Sequence, residues 1–394
     1  MNVLFIAYHF ASYPIMESQG FSYMRGLSDK GTKYSLLTYE TEESVSNSKK
    51  YISELDMPLK WRYLTYHRKP RFLATSFDII SGLLTVVFII KKDKVKIIHA
   101  RGLIAALIAF LPAKLIGVKI LFDTRGLLAD KYVGGGLLSK YSFTYNLMKW
   151  GEGLLLRKSD YFTVETYKHA EIIGNSQNGI SDKMGVIPCC VDTDRFNYQL
   201  CSDGDRNGFN LVYLGKVGTW YLFEDMLDIF YVVSKKIAHS HFTFLTESDA
   251  VPIYSSVREK GIDKSKINIR KAELSEVPSL LAGANAGIFF INSYKRYNSS
   301  PIKFGEYLAC GLPVIINSGI GDCDEIVLKE RVGVVINEFS KREYERAIEE
   351  LKLLLSEGNP LRERCRRVAE KYFSLEMGVE RYWNIYKRLG KEWQ

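Results

Sequence analysis

Short apolar segments alternate with helical stretches along the whole chain, and this alternation limits the fold more than any other feature. The segments are rich in β-branched and aromatic residues, and each is followed by a longer stretch with helical periodicity. Such alternation is typical of βαβ units and a parallel sheet, so we predict an α/β fold. The predicted strands are 3–7, 34–38, 97–100, 119–123, 161–164 and 186–188, then 211–214, 242–245, 267–270, 287–291, 313–316 and 333–336.

The alternation is interrupted once, near the middle of the chain. Residues 201–210 are rich in Asp, Gly, Asn and Arg without an apolar period, which indicates a linker. A length of 394 residues favours two domains of about 100–200 residues each. We predict two doubly wound, Rossmann-like domains over residues 1–200 and 201–372, and a C-terminal helix in 373–394 that packs back on the first. Such sheets bind ligands at the carboxyl ends of their strands, so two facing domains would form an interdomain cleft that holds the site.

Neither of the two most apolar stretches is predicted to cross a membrane. Residues 79–90 form a run of about 12 residues, where a span needs about 20. Residues 103–120 are interrupted by Pro112 and Gly117 and by two lysines. The N-terminal apolar stretch lacks the charged segment of a signal peptide. The six cysteines show neither C-x-x-C nor zinc-ligand spacing, so we expect a reducing cytoplasm.

The segment 299–311 is the best candidate for chemistry. It lies between two predicted strands, which makes it a crossover helix and its approach loop. Ser300 suits the N-cap, Pro301 the first helical turn, and Gly311 the position after the helix end. The helix N-terminus then faces the carboxyl edge of the sheet, where its N–H groups and dipole favour a phosphate.

Lys303 and Glu306 are three residues apart and therefore share one face of this helix. The lysine can neutralise phosphate oxygens, and the carboxylate can accept hydrogen bonds from a ribose diol. An ordinary capped helix with an i,i+3 ion pair would show the same spacing. Spacing alone does not choose between the two interpretations.

Four segments together resemble a known family. Residues 299–315, SSPIKFGEYLACGLPVI, resemble the donor-binding motif of the GT-B glycosyltransferases, in the large retaining family 4. In the right order, the chain also has counterparts of the family's cleft-facing strand end (122–126, with Asp130), its interdomain segment (186–196, VIPCCVDTDRF) and its first phosphate loop (213–221, YLGKVGTWY).

The resemblance implies transfer of a sugar from a nucleoside diphosphate sugar, UDP rather than GDP, with retention of configuration. The acceptor would be a hydroxyl of a glycan or lipid-linked molecule, in cell-surface polysaccharide or glycoconjugate synthesis. Three cations, Lys216, Lys303 and Arg125, would stabilise the departing diphosphate, so neither a metal nor another cofactor is required. The expected donor-binding residues are Gly215, Gly218, Thr219, Lys271, Leu274, Ser299, Ser300, Pro301, Ile302 and Glu306, with Glu306 on the ribose. The expected acceptor-side or cleft residues are Ser18, Gln19, Gly20, His99, Arg101 and Asn298.

The chain departs from the family pattern at two positions. Asn298 stands where many relatives carry a glutamate that contacts the sugar, and Arg125 replaces a common histidine. His99 is by default a structural histidine, although its place after a strand also fits a cleft role. Residues 17–20 read either as a turn with capping residues or as a loop that faces phosphate.

Three D-x-D patterns, at 192–194, 203–205 and 322–324, match a metal motif of another glycosyltransferase fold, but so short a pattern arises easily by chance. Asn298 also begins a glycosylation sequon, which we interpret as part of the donor loop because no secretory signal accompanies it.

The formal net charge of +9 is compatible with a polyanionic ligand, nucleic acid or an anionic membrane. Residues 60–72 interleave cations with aromatics, as single-stranded nucleic-acid sites do. In a glycosyltransferase this segment indicates a peripheral membrane patch on the cytoplasmic face, or else a solvated loop, and no nucleic-acid partner. A sugar-nucleotide epimerase and a non-catalytic nucleotide-binding homologue remain alternatives. A NAD-dependent oxidoreductase does not fit, because no dinucleotide fingerprint follows a strand.

Overall fold

The computed structural model describes residues 1–176, 179–200, 208–218, 220–292 and 296–391. The chain divides into two compact units. The first comprises Met1–Cys190 together with Leu375–Gln394, and the second comprises Val191–Ser374. The N-terminal segment of the first unit thus ends at Cys190, whereas the sequence predicts a boundary at residue 200. Most of the predicted linker (201–207) lies outside the described residues.

The first unit is built on a seven-stranded, wholly parallel sheet. Its strands run in the order β3-β2-β1-β4-β5-β6-β7. They are β1 (Asn2–Ala7), β2 (Lys33–Glu40), β3 (Leu59–Thr65), β4 (Ile97–Arg101), β5 (Lys119–Asp123), β6 (Tyr161–Val164) and β7 (Met184–Val186). The helices are α1 (Pro14–Met16), α2 (Ser22–Asp29), α3 (Glu42–Ser53), α4 (Arg71–Asp93), α5 (Leu103–Ile116), α6 (Leu128–Gly134), α7 (Phe143–Lys158) and α8 (Tyr167–Ser176). β2 and β3 are added on one side of β1, and β4 to β7 are added on the other side, which makes the sheet doubly wound.

The two faces of this sheet carry separate apolar cores. One core packs the sheet against α4, α5 and α7. The other packs it against α2 and against the last helix of the chain, α16 (Leu375–Lys391). Val379, Tyr382 and Tyr386 recur at helical spacing on the buried face of α16. A Cβ on Gly26 would lie 2.7 Å from a methyl of Val379, so this glycine lets α2 and α16 approach closely.

The second unit has a six-stranded parallel sheet in the order β10-β9-β8-β11-β12-β13. Its strands are β8 (Phe209–Leu214), β9 (Ser240–Leu245), β10 (Ile267–Arg270), β11 (Ala286–Phe289), β12 (Val314–Asn317) and β13 (Gly333–Ile336). Its helices are α9 (Phe223–Lys236), α10 (Ala250–Glu259), α11 (Val277–Ala282), α12 (Ile302–Ala309), α13 (Cys323–Glu330), α14 (Lys341–Leu355) and α15 (Asn359–Phe373). The winding direction changes between the neighbouring strands β8 and β11, and one apolar core unites the unit.

Two regions of the first unit differ from the sequence prediction. Much of the cationic and aromatic segment 60–72 is strand β3, which pairs with β2 over its whole length. Helix α4 spans 23 residues, about twice the length of the apolar run 79–90. Within the described chain, its portion Leu73–Asp93 is long and apolar enough to cross a membrane, with a mean hydropathy of 2.1 and one third of its most apolar window buried.

Candidate functional site

The most distinctive polar groups of the second unit lie where its sheet changes winding direction. The loop after β8 and the segment after β11 leave neighbouring strands at the same edge. The second of these leads through a 3₁₀ turn at Arg296–Asn298 into helix α12. Ligands of doubly wound sheets bind at this position, and it is where the motif at 299–311 falls.

Lys303, in the first turn of α12, is buried beneath two tyrosine rings. Its Nζ lies 3.5 Å from the ring centre of Tyr221 and 4.2 Å from that of Tyr213. No described residue accepts a hydrogen bond from this nitrogen. Burial lowers the pKa of Lys303 well below its usual value, and the charge of Glu306 opposes that shift only in part. A buried ammonium with aromatic neighbours but no acceptor is a site prepared for an anion.

Glu306 does not form the i,i+3 ion pair that its spacing allows. The Lys303 ammonium points to the tyrosines, and the half-buried carboxylate makes neither a salt bridge nor a hydrogen bond within the described chain. Burial raises the pKa of Glu306 to about 7, while the positive charges of Lys303 and Arg195 act in the opposite direction. The carboxylate therefore retains its capacity to accept hydrogen bonds from a ligand.

The loop after β8 shapes the wall beside this ammonium. Gly215 has a φ of +125°, and a Cβ there would lie 3.1 Å from Lys303 Nζ. Tyr213 is held in place because its hydroxyl donates to the Lys216 carbonyl at 2.6 Å. Lys216 itself is exposed, and Gly218 has a φ of +87°. The predicted site residue Thr219 lies outside the described residues.

The start of α12 differs by one position from the prediction. Pro301 occupies the N-cap, and the helix begins at Ile302, so Ser300 is not the N-cap residue. The reason is that Pro301 adopts extended backbone angles, with φ −69° and ψ 125°, and not those of a first turn. The predicted glycine after the helix end agrees with the structure, because Gly311 follows the C-cap residue Cys310 and takes a left-handed φ of +70°.

Near Lys303, Asn298 is another buried polar side chain with an atom that lacks a hydrogen-bond partner within the described chain. It is 3% exposed, and its amide nitrogen Nδ2 has no acceptor within the described chain. Ser299, Ser300, Pro301 and Ile302, which separate it from Lys303, are half-buried.

A cavity of about 480 Å³ opens at the ends of β9 and β10. Lys271 and Ile269 line it together with the segment after β9. Ser248, also in its wall, accepts a hydrogen bond from the backbone N–H of Val217 at 2.9 Å, so the cavity adjoins the loop after β8. Leu274 lies exposed beyond Lys271, and its carbonyl accepts a hydrogen bond from Arg195.

In the first unit, Arg125 forms an internal network at the end of β5. Its Nε donates to Asp123 at 2.7 Å, and its Nη2 donates to the Tyr382 hydroxyl at 2.8 Å. Its Nη1 lies 3.3 Å from the side-chain oxygen of Gln19. The guanidinium therefore binds α16 to the sheet, and its proposed contact with the diphosphate stays a prediction.

The other predicted residues of the first unit belong to the same network. His99 is 3% exposed and shares a hydrogen bond of 2.8 Å with the Tyr386 hydroxyl. Burial lowers the pKa of His99, which favours the neutral ring. Arg101 donates to the Gln19 carbonyl at 2.8 Å.

Ser18, Gln19 and Gly20 do not form a loop. They lie in one π-helical turn, Glu17–Phe21, that continues directly into α2. Turns of this kind are frequent at functional sites.

The D-x-D patterns have local roles in the described chain. Asp192 accepts hydrogen bonds from the backbone N–H groups of Asp194 and Arg195, and Asp324 accepts one from Gly319. Among the described residues, no three His, Cys, Asp or Glu side chains gather as metal ligands would. The pattern at 203–205 falls outside the described residues.

Comparison with known proteins adds two findings. Residues 283–358, which include Asn298, Lys303 and Glu306, match the family model "Glucosyltransferase 3-like, C-terminal domain". Among solved structures, sucrose-phosphate synthase from Thermosynechococcus elongatus superposes with a TM-score of 0.77 at 14% identity, over 100% of both chains. The chain has the GT-B glycosyltransferase fold.

Two further similar structures were solved with nucleotides. HepE from Anabaena in complex with UDP-glucose superposes with a TM-score of 0.69 at 12% identity, over 98% of this chain and 100% of that one. MnaA from S. aureus in complex with UDP gives a TM-score of 0.60 at 12% identity, over 98% and 97%. No curated protein sequence matches the chain.

Sequence reasoning missed the aromatic part of this GT-B site. Tyr213 and Tyr221 bracket the predicted phosphate loop, yet they enclose the ammonium of Lys303, which lies 90 and 82 residues further along the chain. Arg195 was also missed, although it directly follows a D-x-D pattern. Its positive charge lowers the pKa of Glu306. The recurrence of tyrosines on both sides of a glycine-containing loop is the signal that points to them.

Proposed function

We propose that this chain is a glycosyltransferase that moves a sugar from a UDP-sugar to a hydroxyl of a glycan or lipid-linked acceptor. The observation that carries the proposal is the buried, unpaired ammonium of Lys303 at the switch point of the second sheet. Burial without an anion is costly for a cation, and a diphosphate would supply the missing acceptors. The N-terminus of α12 adds its own attraction for the same group.

The remaining donor contacts follow from the same geometry. The Glu306 carboxylate, one turn further along α12, accepts hydrogen bonds from the ribose diol. The base enters the cavity lined by Lys271, and the exposed Lys216 reaches the diphosphate from the loop after β8. UDP is favoured as the nucleotide because structural neighbours were solved with UDP and UDP-glucose.

Asn298 is the proposed contact with the sugar. Its buried Nδ2 donates to a sugar oxygen, a role that the carboxylate of many relatives cannot take. We expect the presence of a donor amide, where many relatives have an acceptor carboxylate, to determine which sugar is bound.

In the reaction, the acceptor oxygen bonds to the anomeric carbon as the bond from that carbon to the β-phosphate oxygen breaks. The electron pair of that bond leaves with UDP, and the hydroxyl proton passes to the released diphosphate. Lys303 and Lys216 stabilise the charge that develops there, so we propose a metal-independent reaction with no cofactor beyond the donor. Retention of configuration and a role in cell-surface glycan synthesis rest on the family resemblance. A cytoplasmic location is consistent with the five buried cysteines of the described chain, none of which is in a disulfide there.

The decisive experiment is incubation with a panel of UDP- and GDP-sugars, with and without mixed glycan and lipid-linked acceptors. Acceptor-dependent release of UDP supports the proposal. Epimerised donor formed without acceptor would identify an epimerase instead. Nucleotide binding without turnover of any donor would identify a non-catalytic homologue. NMR of the product's anomeric proton and a reaction in EDTA test retention and metal independence.

A further inference from the structure

Helix α4 carries a continuous apolar stripe on its outer side. Leu73, Phe77, Ile80, Leu84 and Phe88 are between 53% and 73% exposed. Their spacing of three or four residues places them on one helix face over about 22 Å. A stripe of this size is rare on a water-exposed surface and indicates a partner.

The neighbouring helices extend the same apolar surface. Helix α5 packs against α4 and exposes Leu111 and Leu115. Helix α7 packs against α5 and exposes Phe143 and Trp150, at 77% and 62%. These helices cover the same face of the sheet, so their outer sides form one surface, which we call the α4 face.

Charge decides which partner fits the α4 face. Helices α4, α5 and α7 carry three acidic residues in all, Asp78, Asp93 and Glu152, and each is at most 7% exposed. By contrast, the exposed Lys91 and Lys92 end the α4 stripe, and neither forms an ion pair with a described residue. The surface therefore offers apolar side chains and cations without a counter-charge.

Cations also lie just before the start of α4. Arg68 and Lys69 are exposed there without an ion pair to a described residue. The cations Lys60 and Arg62 of the adjoining strand β3 already have a counter-charge, because both form ion pairs with the buried Asp93. Basic residues at both ends of an apolar stripe match an anionic lipid surface, with apolar chains below the headgroups and cations among them.

The helix cannot cross the bilayer while the first unit is folded. Its two ends connect β3 and β4, which belong to one sheet. Its inner side is fixed by Asp78, which is fully buried and accepts a hydrogen bond from the Tyr8 hydroxyl at 2.6 Å. A Cβ on Gly82 would meet the Tyr39 hydroxyl at 2.3 Å, so the helix lies directly against the sheet and α5.

We propose that the α4 face is a monotopic docking surface for an anionic lipid bilayer, with α4 parallel to the membrane plane. A second copy of the chain fits less well, because it would bring uncompensated cations of both copies together. The interaction needs no donor or acceptor sugar, so its test stands apart from that of the enzymatic activity.

The test is flotation of the full chain with vesicles of equimolar phosphatidylglycerol and phosphatidylcholine, compared with phosphatidylcholine alone. We expect binding to the anionic vesicles at about 0.1 M salt and loss of most binding at about 0.5 M, because salt screens the charges. High-pH carbonate should release the protein, as expected of a monotopic contact. Retention after carbonate would show a spanning helix and overturn the parallel placement.

Two pairs of variants isolate the surface. Leu84→Ser should weaken vesicle binding at least tenfold, because it replaces a large apolar side chain that would be buried among the lipid chains by a small polar one. Leu353→Ser, on α14 in the other unit, is the matched control, because both leucines are 73% exposed. Melting temperature should be unchanged in both variants, because neither side chain belongs to a core.

The second pair tests charge. Replacing Lys91 and Lys92 by Gln should weaken binding to anionic vesicles about 25-fold, at about fivefold per cation. The control replaces Lys235 and Lys236, an adjacent pair in the last turn of α9.

Three results would overturn the proposal. These are wild-type protein that stays unbound with anionic vesicles, test variants that bind as well as their controls, and a dimer in light scattering that Leu84→Ser makes monomeric without any lipid binding. The last would assign the α4 face to a second copy of the chain.

Discussion

Lys303→Met should lower activity and raise the stability of the ligand-free protein at the same time. Methionine has a similar length and packs well against aromatic rings, but it carries no charge. The ammonium it replaces lies against Tyr221 and Tyr213 without a hydrogen-bond acceptor in the described chain. The substitution therefore removes the free-energy cost of burying an unpaired ammonium in the ligand-free protein. It also removes the interaction of that ammonium with the donor diphosphate.

The magnitudes follow from these contacts. A buried polar group without a partner costs about 1–3 kcal/mol, and more when charged. The cation–π contacts return about 0.5–2 kcal/mol of this. We expect a net gain of about 1 kcal/mol in the free energy of unfolding, or about 2–4 °C in a unit of this size. The lost charge-assisted hydrogen bond to the donor is worth about 1.5–3 kcal/mol, which lowers kcat/KM about 10- to 150-fold.

The stability gain should also depend on pH. Because burial lowers the pKa of Lys303, the unfolded chain holds this proton up to about pH 10.4 while the folded chain releases it earlier. Wild-type stability therefore rises with pH between the folded pKa and about 10.4. The advantage of Lys303→Met is largest below that window and disappears through it.

Thermal melts across pH, with and without UDP, and kinetics on the best donor test these expectations. Lys329→Met, at an exposed position on α13, is the matched control and should change neither quantity. Wild-type kcat/KM in Lys303→Met would refute the diphosphate role. A drop of several degrees in the ligand-free melting temperature would refute the view that the ammonium is buried at a cost.

Three further predictions concern other parts of the structure. Donor affinity should rise with pH through about 7, as the Glu306 carboxyl ionises, and calorimetry on Glu306→Gln should show weaker binding without that dependence. Arg125→Met should cost about 1.5–3 kcal/mol in denaturant unfolding, because it removes the 2.7 Å charge-assisted hydrogen bond to the buried Asp123 and leaves Arg101, at 3.5 Å, as its nearest cation. Tyr382→Phe, which removes one hydrogen bond of the same network, should cost about 1 kcal/mol, and equal losses would contradict the network. Gly215→Ala places a methyl 3.1 Å from the buried ammonium and should weaken donor binding at least tenfold. Gly136→Ala, also at positive φ but in open space, should leave affinity unchanged.

The predictable part of the site is the part encoded within one short segment. Lys303, Glu306 and Gly311 lie within nine residues, so helix periodicity and capping preferences place them on one element and at one sheet edge. The direction of the Lys303 side chain was not predictable in this way. It depends on Tyr213 and Tyr221, which come from another strand and its loop, and packing between distant segments leaves no local pattern.

The same limit applies to the first unit. A resemblance to the family places Arg125 at a strand end, but its hydrogen bond to Tyr382 joins residues 257 positions apart. Strand β3 escaped prediction because its alternating side chains are cationic and aromatic at a sheet edge, where one face remains half-exposed. The apolar run 79–90 lies within α4, but it is shorter than the helix because Ser76 and Asp78 precede it and the charged residues 91–93 follow it.

Helix α16 gives the chain an unusual order of assembly. The first unit is discontinuous in sequence, since Tyr382 and Tyr386 complete a core begun by β1. During synthesis the ribosome delivers all of Val191–Ser374 before this helix appears. Until α16 is synthesised, part of the apolar surface of the first unit stays uncovered. The second unit is one uninterrupted segment and does not depend on this helix. We therefore expect a folding intermediate in which the second unit is complete while the first unit still lacks α16 and exposes apolar surface to chaperones.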